Sequence, residues 1–421
     1  MNWKRKLERN WGRLGMKYDE NSLYNVKSSV EGKRCSLFDL ATWKNGLAFK
    51  KINFSETGVP VIKIAELNNG IGGTTAYTQQ KFSEDVHLNK GDLLFSWSGN
   101  PQTSIDIFRF NLEEGWLNQH IFKVTPDENV VDRNYFYFLM KNLKMYFTQI
   151  ATNKQTTGLG HVTIADIKRM SVIIPSIDMQ RKIVSYIKPI DDKILLNNDI
   201  NNNLLVQVQL QFEQIYSKGV LSKISDLVSE IESGSRPKGG ALTSGIPSIG
   251  AEKIERFGFY DYSSEKYISE EYFVKLKRGI VHSSDVLLYK DGAYTGKVSM
   301  ALDDFPHAKC AVNEHVFILR TKEYKYQSYL YCCLAKKEIR DTVFALGSSK
   351  AAQPGLNKNE ILGIEINIPN QIELLDFEGF ASPIMRLVAE NAKQNRELSN
   401  LRDSLLPKLM SGELDVSNID F

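Results

Sequence analysis

Residues 180–216 read QRKIVSYIKPIDDKILLNNDINNNLLVQVQLQFEQIY, and this stretch carries the pattern that decides the fold. Alternate steps of four and three residues from position 183 trace a heptad seam that is apolar at both ends and polar at its centre. The seam positions are Ile183, Ile187, Ile190, Ile194, Asn197, Asn201, Leu204, Val208, Gln211 and Ile215. This spacing predicts a long helix that packs against a partner helix.

A second stretch, residues 374–410, has the same seam with the same polar interruption. Its positions are Phe377, Ala381, Ile384, Val388, Asn391, Asn395, Leu398, Arg402, Leu405 and Leu409. A buried asparagine costs stability but fixes register, so asparagines at matching depth predict that the two helices pack on each other as an antiparallel pair. Each helix of roughly 30–35 residues would span about 45–50 Å and act as a spacer.

Proline falls within each helical pattern, at Pro189 and at Pro383. Because proline removes a backbone donor, it either kinks a helix or begins a new one. A helix boundary near residue 188 therefore stays open as an alternative to one continuous helix.

The second half of the chain repeats the first in the same order, at offsets of 187 to 195 residues. The matched segments are Asp39-Leu40 with Asp226-Leu227, Gly58-Val59-Pro60 with Gly245-Ile246-Pro247, Asp92-Leu93-Leu94 with Asp285-Val286-Leu287, residues 118–122 with 313–317, and Ile174-Pro175 with Ile368-Pro369. The chain therefore alternates a globular head, a long helix, a second head and a second long helix, so one kind of surface is presented twice.

Each head combines short β-type runs with an aromatic-rich helical segment, which predicts a mixed α/β or α+β fold. In the first head the strands are expected at 59–64 and 91–97 and the helix at 133–150; in the second, the strands are expected at 246–249 and 285–289 and the helix at 327–342.

Cationic and amide side chains next to aromatic ones lie in the predicted loops of both heads, a combination that suits DNA recognition. The candidate DNA contacts are Lys44, Asn45, Lys50, Lys51, Trp97, Asn100 and Gln102 in the first head, and Arg236, Lys238, Lys290, Tyr294, Lys297 and Lys350 in the second. Taken singly, a lysine or arginine is more often plain solvated surface, and Trp97 is equally compatible with a core position.

No motif for catalysis or metal binding is found in the sequence. His120 and His315 occupy equivalent positions, but no second ligand stands at metal spacing, so we interpret both as structural. Phosphate loops, dinucleotide-binding glycine motifs and the Asn/Asp-Pro-Pro-aromatic motif of base methyltransferases are absent. The four cysteines form no C-x-x-C pair, which favours neither a disulfide framework nor a zinc site.

The composition predicts a folded protein of two or three domains: 421 residues, 42% hydrophobic and 24% charged. A net charge of +3 is too small to indicate nucleic-acid binding by itself. Residues 1–34 carry nine Lys/Arg against four acids, a moderate bias that we interpret as a solvated lead-in. Neither a signal peptide nor a membrane span is evident, so we expect a cytoplasmic protein.

Two heads alternating with two similar helices resemble the specificity subunits of type I restriction-modification systems, and the motifs agree. Residues 174–180 resemble the Ile-Pro-x-x-x-x-Gln entry into the first helix, Gly234-Ser235-Arg236-Pro237 the turn that opens a recognition domain, and residues 405–412 the C-terminal ending of the family. The Asp92 and Asp285 segments resemble its Gly-Asp-hydrophobic strand. Leu374 replaces the matching glutamine, and the lead-in before Cys35 is long for the family.

The resemblance implies that each head reads one half of a bipartite DNA site, while the helix pair sets the spacing and docks two methyltransferase subunits. Those partners would methylate adenine N6 with S-adenosylmethionine, and a restriction subunit that uses ATP and magnesium would join them. The chain itself would be non-catalytic and need no cofactor. Because the heads differ in sequence, the expected target is asymmetric.

The expected domains are a lead-in at 1–34, recognition domains at 35–176 and 219–370, spacer helices at 177–218 and 371–414, and a tail at 415–421. Three alternatives stay open at this point. They are a specificity protein of another methyltransferase or phage-defence system, a stand-alone metal-dependent nuclease, and a coiled-coil scaffold that binds only protein.

Overall fold

The computed structural model describes residues 30–72, 74–155, 158–292, 294–348 and 355–417. The chain divides into two compact units, and both dividing points fall inside long helices. Unit 1 comprises Met1–Asp191 and Asn400–Phe421, and unit 2 comprises Asp192–Ser399. Most of the basic lead-in lies outside the described residues, as does the end of the tail from residue 418.

Unit 1 contains twelve strands: β1 (Lys33–Ser36), β2 (Ala41–Asn45), β3 (Val59–Ile62), β4 (Tyr77–Thr78), β5 (His87–Asn89), β6 (Leu93–Ser96), β7 (Ser98–Gly99), β8 (Asp106–Arg109), β9 (Glu114–Leu117), β10 (Ile121–Pro126), β11 (Gly160–His161) and β12 (Ser171–Ile174), counted among the described residues. Its helices are α1 (Ile64–Asn69), α2 (Arg133–Asn142), α3 (Lys144–Asn153), α4 (Ile164–Arg169) and the first part of α5 (Ile177–Tyr216). Short 3₁₀ turns lie at Leu37–Leu40, Lys51–Asn53 and Glu84–Val86.

Unit 2 contains β13 (Val220–Lys223), β14 (Val228–Ser233), β15 (Ile246–Ile249), β16 (Tyr267–Ile268), β17 (Val286–Tyr289), β18 (Val298–Met300), β19 (Ala311–Val312), β20 (Val316–Thr321) and β21 (Glu365–Ile368). Its helices are α6 (Ile224–Leu227), α7 (Glu270–Val274), α8 (Gln327–Ala335), α9 (Lys337–Ser348), α10 (Lys358–Leu362) and most of α11 (Gln371–Ser411). 3₁₀ turns occupy Ala251–Lys253 and Lys322–Tyr324.

The two units repeat one topology. The central antiparallel sheet has the order β2-β10-β6-β8 in unit 1 and β14-β20-β17-β18 in unit 2. Each unit also has a second sheet with one parallel pair, β3 with β9 and β15 with β19. A two-stranded ribbon, β1 with β12 or β13 with β21, leads into the long helix that follows each head. The repeat and the mixed α+β fold predicted from the sequence are confirmed.

The middle strands of both central sheets are covered on both faces, which explains their continuous apolar sequences. In β6, Leu93 and Phe95 pack into the main core against α2 and α3, while Leu94 packs into the second sheet. In β17, Val286 and Leu288 face the main core and Leu287 faces the second sheet in the same way. Full burial of each such side chain contributes about 1.5–3 kcal/mol, so these strands anchor each head.

The long helices are continuous through their prolines. Helix α5 is unbroken across Pro189, and α11 is unbroken across Pro383, so no helix boundary lies near residue 188. The predictions of one helix at 133–150 and one at 327–342 were wrong in one respect, because two helices lie at each place. The first breaks at the fully buried Leu143, whose ψ is −2°, and the second at Lys336, whose ψ is 133°, far from the helical value of about −42°.

Candidate nucleic-acid interface

In unit 1, four polar or aromatic side chains meet at one edge of the central sheet. The antiparallel register places the end of β2 and the end of β6 beside the start of β10. Trp97 Nε1 donates to Asn45 Oδ1 over 3.0 Å, and the rings of Trp97 and His120 lie 5.6 Å apart. Gln119 Nε2 lies 3.2 Å from His120 Nε2. We call Asn45, Trp97, Gln119 and His120 the unit 1 strand-end cluster.

Unit 2 builds its cluster at the equivalent edge from different side chains. Lys290 N donates to the His315 carbonyl over 3.1 Å, as Trp97 N donates to the His120 carbonyl over 3.3 Å. His315 Nδ1 lies 2.5 Å from Asp291 Oδ1, and Arg236 Nη2 lies 3.0 Å from Glu314 Oε1. The unit 2 strand-end cluster comprises Arg236, Lys290, Asp291, Glu314 and His315. One backbone frame therefore presents amide and aromatic groups in unit 1 and charged groups in unit 2.

A glycine follows the first strand of each central sheet because two chain segments nearly touch there. A Cβ on Gly46 would lie 2.1 Å from the Asn118 carbonyl oxygen, and one on Gly234 would lie 1.6 Å from the Val312 carbonyl oxygen. Only glycine fits such an approach. Each glycine opens a connecting segment, residues 46–58 or 234–245, that leads from the strand-end cluster to the second sheet.

These connecting segments carry the cations Lys50, Lys51, Arg236 and Lys238, and all four are exposed. Cations on exposed loops are the side chains that bind DNA phosphates.

The remaining predicted residues lie at several places. Lys44, half-exposed at the end of β2, forms an ion pair with Asp85. Asn100 Oδ1 caps its own turn by accepting from Gln102 N over 2.9 Å. Tyr294 is 61% exposed, and the Lys297 ammonium group lies over its ring. Lys297 also forms an ion pair with Glu255 at 2.5 Å. Lys350 lies outside the described residues.

Gln119, Asp291 and Glu314 are not among the residues predicted from the sequence, and the histidines beside Gln119 and Glu314 are predicted there to be structural. In the structure His120 is exposed and His315 is partly exposed. The sequence does contain a pattern that could have indicated Gln119 and Glu314. An Asn-[Gln/Glu]-His triplet occurs just before β10 and again just before β20, so that polar residues directly precede an apolar strand in both units. Polar residues at a strand end are positioned by the sheet but face solvent.

The duplicated aspartates Asp92 and Asp285 have a structural explanation. Each accepts a backbone hydrogen bond that closes the turn before its strand, from Asn89 N over 2.9 Å or from His282 N over 2.8 Å. Lys123 Nζ lies 2.8 Å from Asp92, and the Arg320 guanidinium lies 2.7 Å from Asp285. These carboxylates are neutralised inside the heads, so we do not place them in the interface.

The polar centre of the helix seam is a hydrogen-bonded network within unit 2. Asn197 Nδ2 donates to Asn395 Oδ1 over 2.9 Å, and Asn391 Nδ2 donates to Asn201 Oδ1 over 2.8 Å. Asn201 Nδ2 also donates to the Val388 carbonyl over 3.1 Å. Residue numbers rise from Asn197 to Asn201 along α5, whereas the numbers of their partners fall from Asn395 to Asn391 along α11. The two helices are therefore antiparallel here, as predicted. Of the other seam residues, Ile190, Ile194, Leu204, Ile384 and Leu398 are half-buried.

Leucine at Asn201 should destabilise unit 2 by about 1–3 kcal/mol, because Asn391 Nδ2 then loses its acceptor inside the seam. The double variant Asn201→Leu/Asn391→Leu should recover that loss or exceed it, since a well-packed apolar pair replaces a polar one. A double-mutant cycle by urea unfolding measures the coupling. Losses that simply add would contradict the pairing.

No helix in the described part of the chain is both long and apolar enough to cross a membrane. Among the same described residues, no group of three or more histidine, cysteine, aspartate or glutamate side chains is arranged to hold a metal ion.

Residues 30–206 match the model of the type I restriction modification DNA specificity domain. The MjaIX specificity subunit of Methanocaldococcus jannaschii, a type I restriction enzyme subunit, is 23% identical over 330 residues, which cover 72% of this chain and 73% of that protein. The corresponding HindI subunit of Haemophilus influenzae is 23% identical over 402 residues, 78% of this chain and 87% of that protein. The crystal structure of a type I restriction-modification S subunit from M. genitalium aligns with a TM-score of 0.49 at 13% identity, over 91% of this chain and 97% of that chain.

The domain match and the similarity to these relatives agree with the motifs found in the sequence. Residues 30–206 therefore match a type I restriction-modification DNA specificity domain, and the chain is similar to type I specificity subunits along most of its length.

Proposed function

We propose that this chain reads a bipartite, asymmetric DNA site, with unit 1 reading one half and unit 2 the other. The observation that carries the proposal is the duplicated strand-end cluster, because the same backbone frame holds different side chains in the two units. Amide groups such as Asn45 pair best with adenine edges, and cations such as Arg236 pair best with guanine edges. Two such surfaces would recognise two different half-sites.

The helix pair sets the distance between the half-sites and docks the partners in this proposal. Relatives in the family are named as subunits of type I restriction enzymes. Helices α5 and α11 expose large apolar side chains that suit protein contacts, including Leu195, Leu196, Leu387 and Leu401. Two adenine-N6 methyltransferase subunits would bind there, and an ATP-dependent restriction subunit would join through them.

Specificity subunits are in general non-catalytic, and we assign no catalytic residue to this chain. The methyl donor S-adenosylmethionine, ATP and magnesium would all be bound by the partner subunits. The role of this chain is then to place the target adenines in reach of the methyltransferases.

Exchange of residues 225–370 for those of a relative tests the proposal, because this segment holds the recognition head of unit 2 and leaves α5 and α11 intact. Long-read sequencing of host DNA, with and without the gene, should detect methylated adenines in a split, asymmetric motif. The exchange should change one half of that motif and leave the other half unaltered. A single continuous palindrome, or a change in both halves, would contradict the proposal.

A further inference from the structure

The connecting segment of unit 1 ends in a tip with an unusual combination of side chains. Ile52, in the 3₁₀ turn Lys51–Asn53, is 82% exposed, more than any other large hydrophobic residue in the described part of the chain. The lysines on its N-terminal side, Lys50 and Lys51, are exposed and have no ion-pair partner among the described residues. An isolated exposed isoleucine is ordinary, but one next to two unpaired cations suits a polyanion with an apolar interior.

The tip is held in place by hydrogen bonds. Lys50 N donates to Asn53 Oδ1 over 2.8 Å, and Asn53 Nδ2 donates to Gln80 Oε1 over 3.0 Å. Gln80 Nε2 in turn donates to the Ile52 carbonyl over 3.5 Å. The exposed side chain therefore sits on a pre-organised turn.

Aromatic packing anchors the same turn on both sides. Phe49 and Phe54 stack with their ring centroids 6.4 Å apart, and Phe49 packs edge-on against Phe82 at 5.0 Å. These rings join the core of the second sheet in unit 1. A fixed turn presents Ile52 at little entropic cost on binding.

We propose that Ile52 is an apolar wedge that enters the half-site read by unit 1 and partly opens one base step, with Lys50 and Lys51 on the adjacent phosphates. The inference rests on the proposed function and adds a mode of recognition to it. Aliphatic side chains inserted between base pairs unstack them and bend the duplex, and the cost depends on the sequence of the opened step. The wedge would thus contribute specificity without a hydrogen bond to a base.

Unit 2 has no equivalent wedge in its connecting segment. Gly239 and Gly240, both with positive φ, form the tip there next to Lys238. Leu242 is exposed, but its backbone pairs with Tyr267 as Ser55 pairs with Tyr77, so it corresponds to Ser55. The distortion should therefore be confined to one half-site.

The experiment uses the full chain assembled with its methyltransferase partner. The DNA is a duplex that contains the motif identified by long-read sequencing, with 2-aminopurine placed at successive positions. The wild-type complex should raise the 2-aminopurine fluorescence at one step of one half-site. Ile52→Ala should abolish that signal and weaken binding about tenfold. Lys50→Gln and Lys51→Gln should each reduce the slope of log affinity against log salt by about 1.

Val274→Ala is the matched control, because Val274 is 74% exposed and belongs to unit 2. It should leave the affinity and the fluorescence profile unchanged. Since Ile52 is exposed, Ile52→Ala should melt at the wild-type temperature, so a loss of binding reports on contact with DNA.

The outcomes separate this inference from the proposed function. A wild-type complex that shows no preference for the motif would overturn both. Site-specific binding by the wild type with an identical affinity and profile for Ile52→Ala would overturn the wedge alone. Loss of methyltransferase co-purification in Ile52→Ala would also overturn it, because the tip would then be a protein contact.

Discussion

Replacing Arg320 by leucine is expected to lower the free energy of unfolding of unit 2 by about 3–5 kcal/mol. Arg320 is buried, and its Nε and Nη2 lie 2.7 Å from the two carboxylate oxygens of the fully buried Asp285. Its Nη1 also donates to Glu230 and Glu232, over 3.1 and 3.0 Å. Loss of the guanidinium leaves a buried carboxylate without a counter-charge, which is one of the largest single penalties in a protein core.

The loss of stability in Arg320→Leu should become larger as the pH rises. Burial raises the pKa of Asp285 against the opposing effect of Arg320. Without Arg320 the pKa rises further, and the carboxyl escapes most of the penalty at acidic pH by binding a proton.

Hydrogen exchange followed by mass spectrometry, on peptides from β17 and β20, measures the effect within unit 2. Arg320→Lys should lower the free energy of unfolding by less than Arg320→Leu does, because lysine keeps the positive charge although it cannot form the bidentate contact. The double variant Asp285→Asn/Arg320→Leu should recover part of the loss. A change below about 1 kcal/mol in Arg320→Leu would show that the pair does not hold the sheet.

Glu378→Gln is expected to stabilise unit 2 by about 3 kcal/mol at pH 8 and to have little effect at pH 4.5. Glu378 is partly buried in α11, and its Oε1 accepts from Tyr329 N over 2.9 Å at the start of α8. Burial raises the pKa of this carboxyl to about 7, although hydrogen bonds from Tyr329 and Ser328 oppose the rise. An ordinary glutamate has a pKa of 4.5.

The sign of the pH effect follows from these two values. Between about pH 4.5 and pH 7 the folded state holds a proton that the unfolded state has lost. The contribution of Glu378 to stability is therefore greatest below pH 4.5 and is lost as the pH rises through about 7. Glutamine carries no charge and keeps the acceptor, so the pH dependence from this position should disappear.

The same peptide-level exchange, repeated from pH 4.5 to pH 8, tests the prediction. Glu390→Gln is a matched control, because Glu390 lies on the same helix with a side chain that is 67% exposed. It should leave the pH dependence as in the wild type. An unchanged pH profile in Glu378→Gln would mean that the carboxyl is ionised in the folded protein throughout this range.

Unit 1 makes a related junction with a neutral side chain. Gln180 Oε1 accepts from Asp132 N over 2.7 Å just before α2, and Gln180 Nε2 donates to the Pro175 carbonyl over 2.9 Å. Gln180 belongs to the helix-entry motif seen in the sequence, and Leu374 takes its place in unit 2. Glu378, one helical turn later, binds the start of α8 instead. The junction of head and helix should therefore depend on pH in unit 2 only.

The repeat, the mixed α+β heads and the antiparallel helices could be predicted because each leaves a periodic trace along the chain. Heptad spacing needs only the order of apolar residues, and the asparagines at equal depth indicated the direction of pairing. The continuity of α5 through Pro189 could not be predicted, because a proline can kink a helix or begin one, and the packing around it decides.

The grouping of side chains in the strand-end clusters could not be predicted, for a different reason. Asn45, Trp97 and His120 are far apart in the chain, and only the register of β2, β10 and β6 brings them together. The partners of each lysine and arginine were equally hidden, so Lys44, in an ion pair, and Lys51, without one, looked alike as candidates.

The amino-acid sequence by itself determined that one head-and-helix unit occurs twice and that the chain resembles type I specificity subunits, because repetition and motif order are properties of the chain alone. Only the tertiary structure decided which side chains share the edge of a sheet and which charges are neutralised. Those relations depend on contacts between residues distant in sequence, and such contacts leave no local pattern.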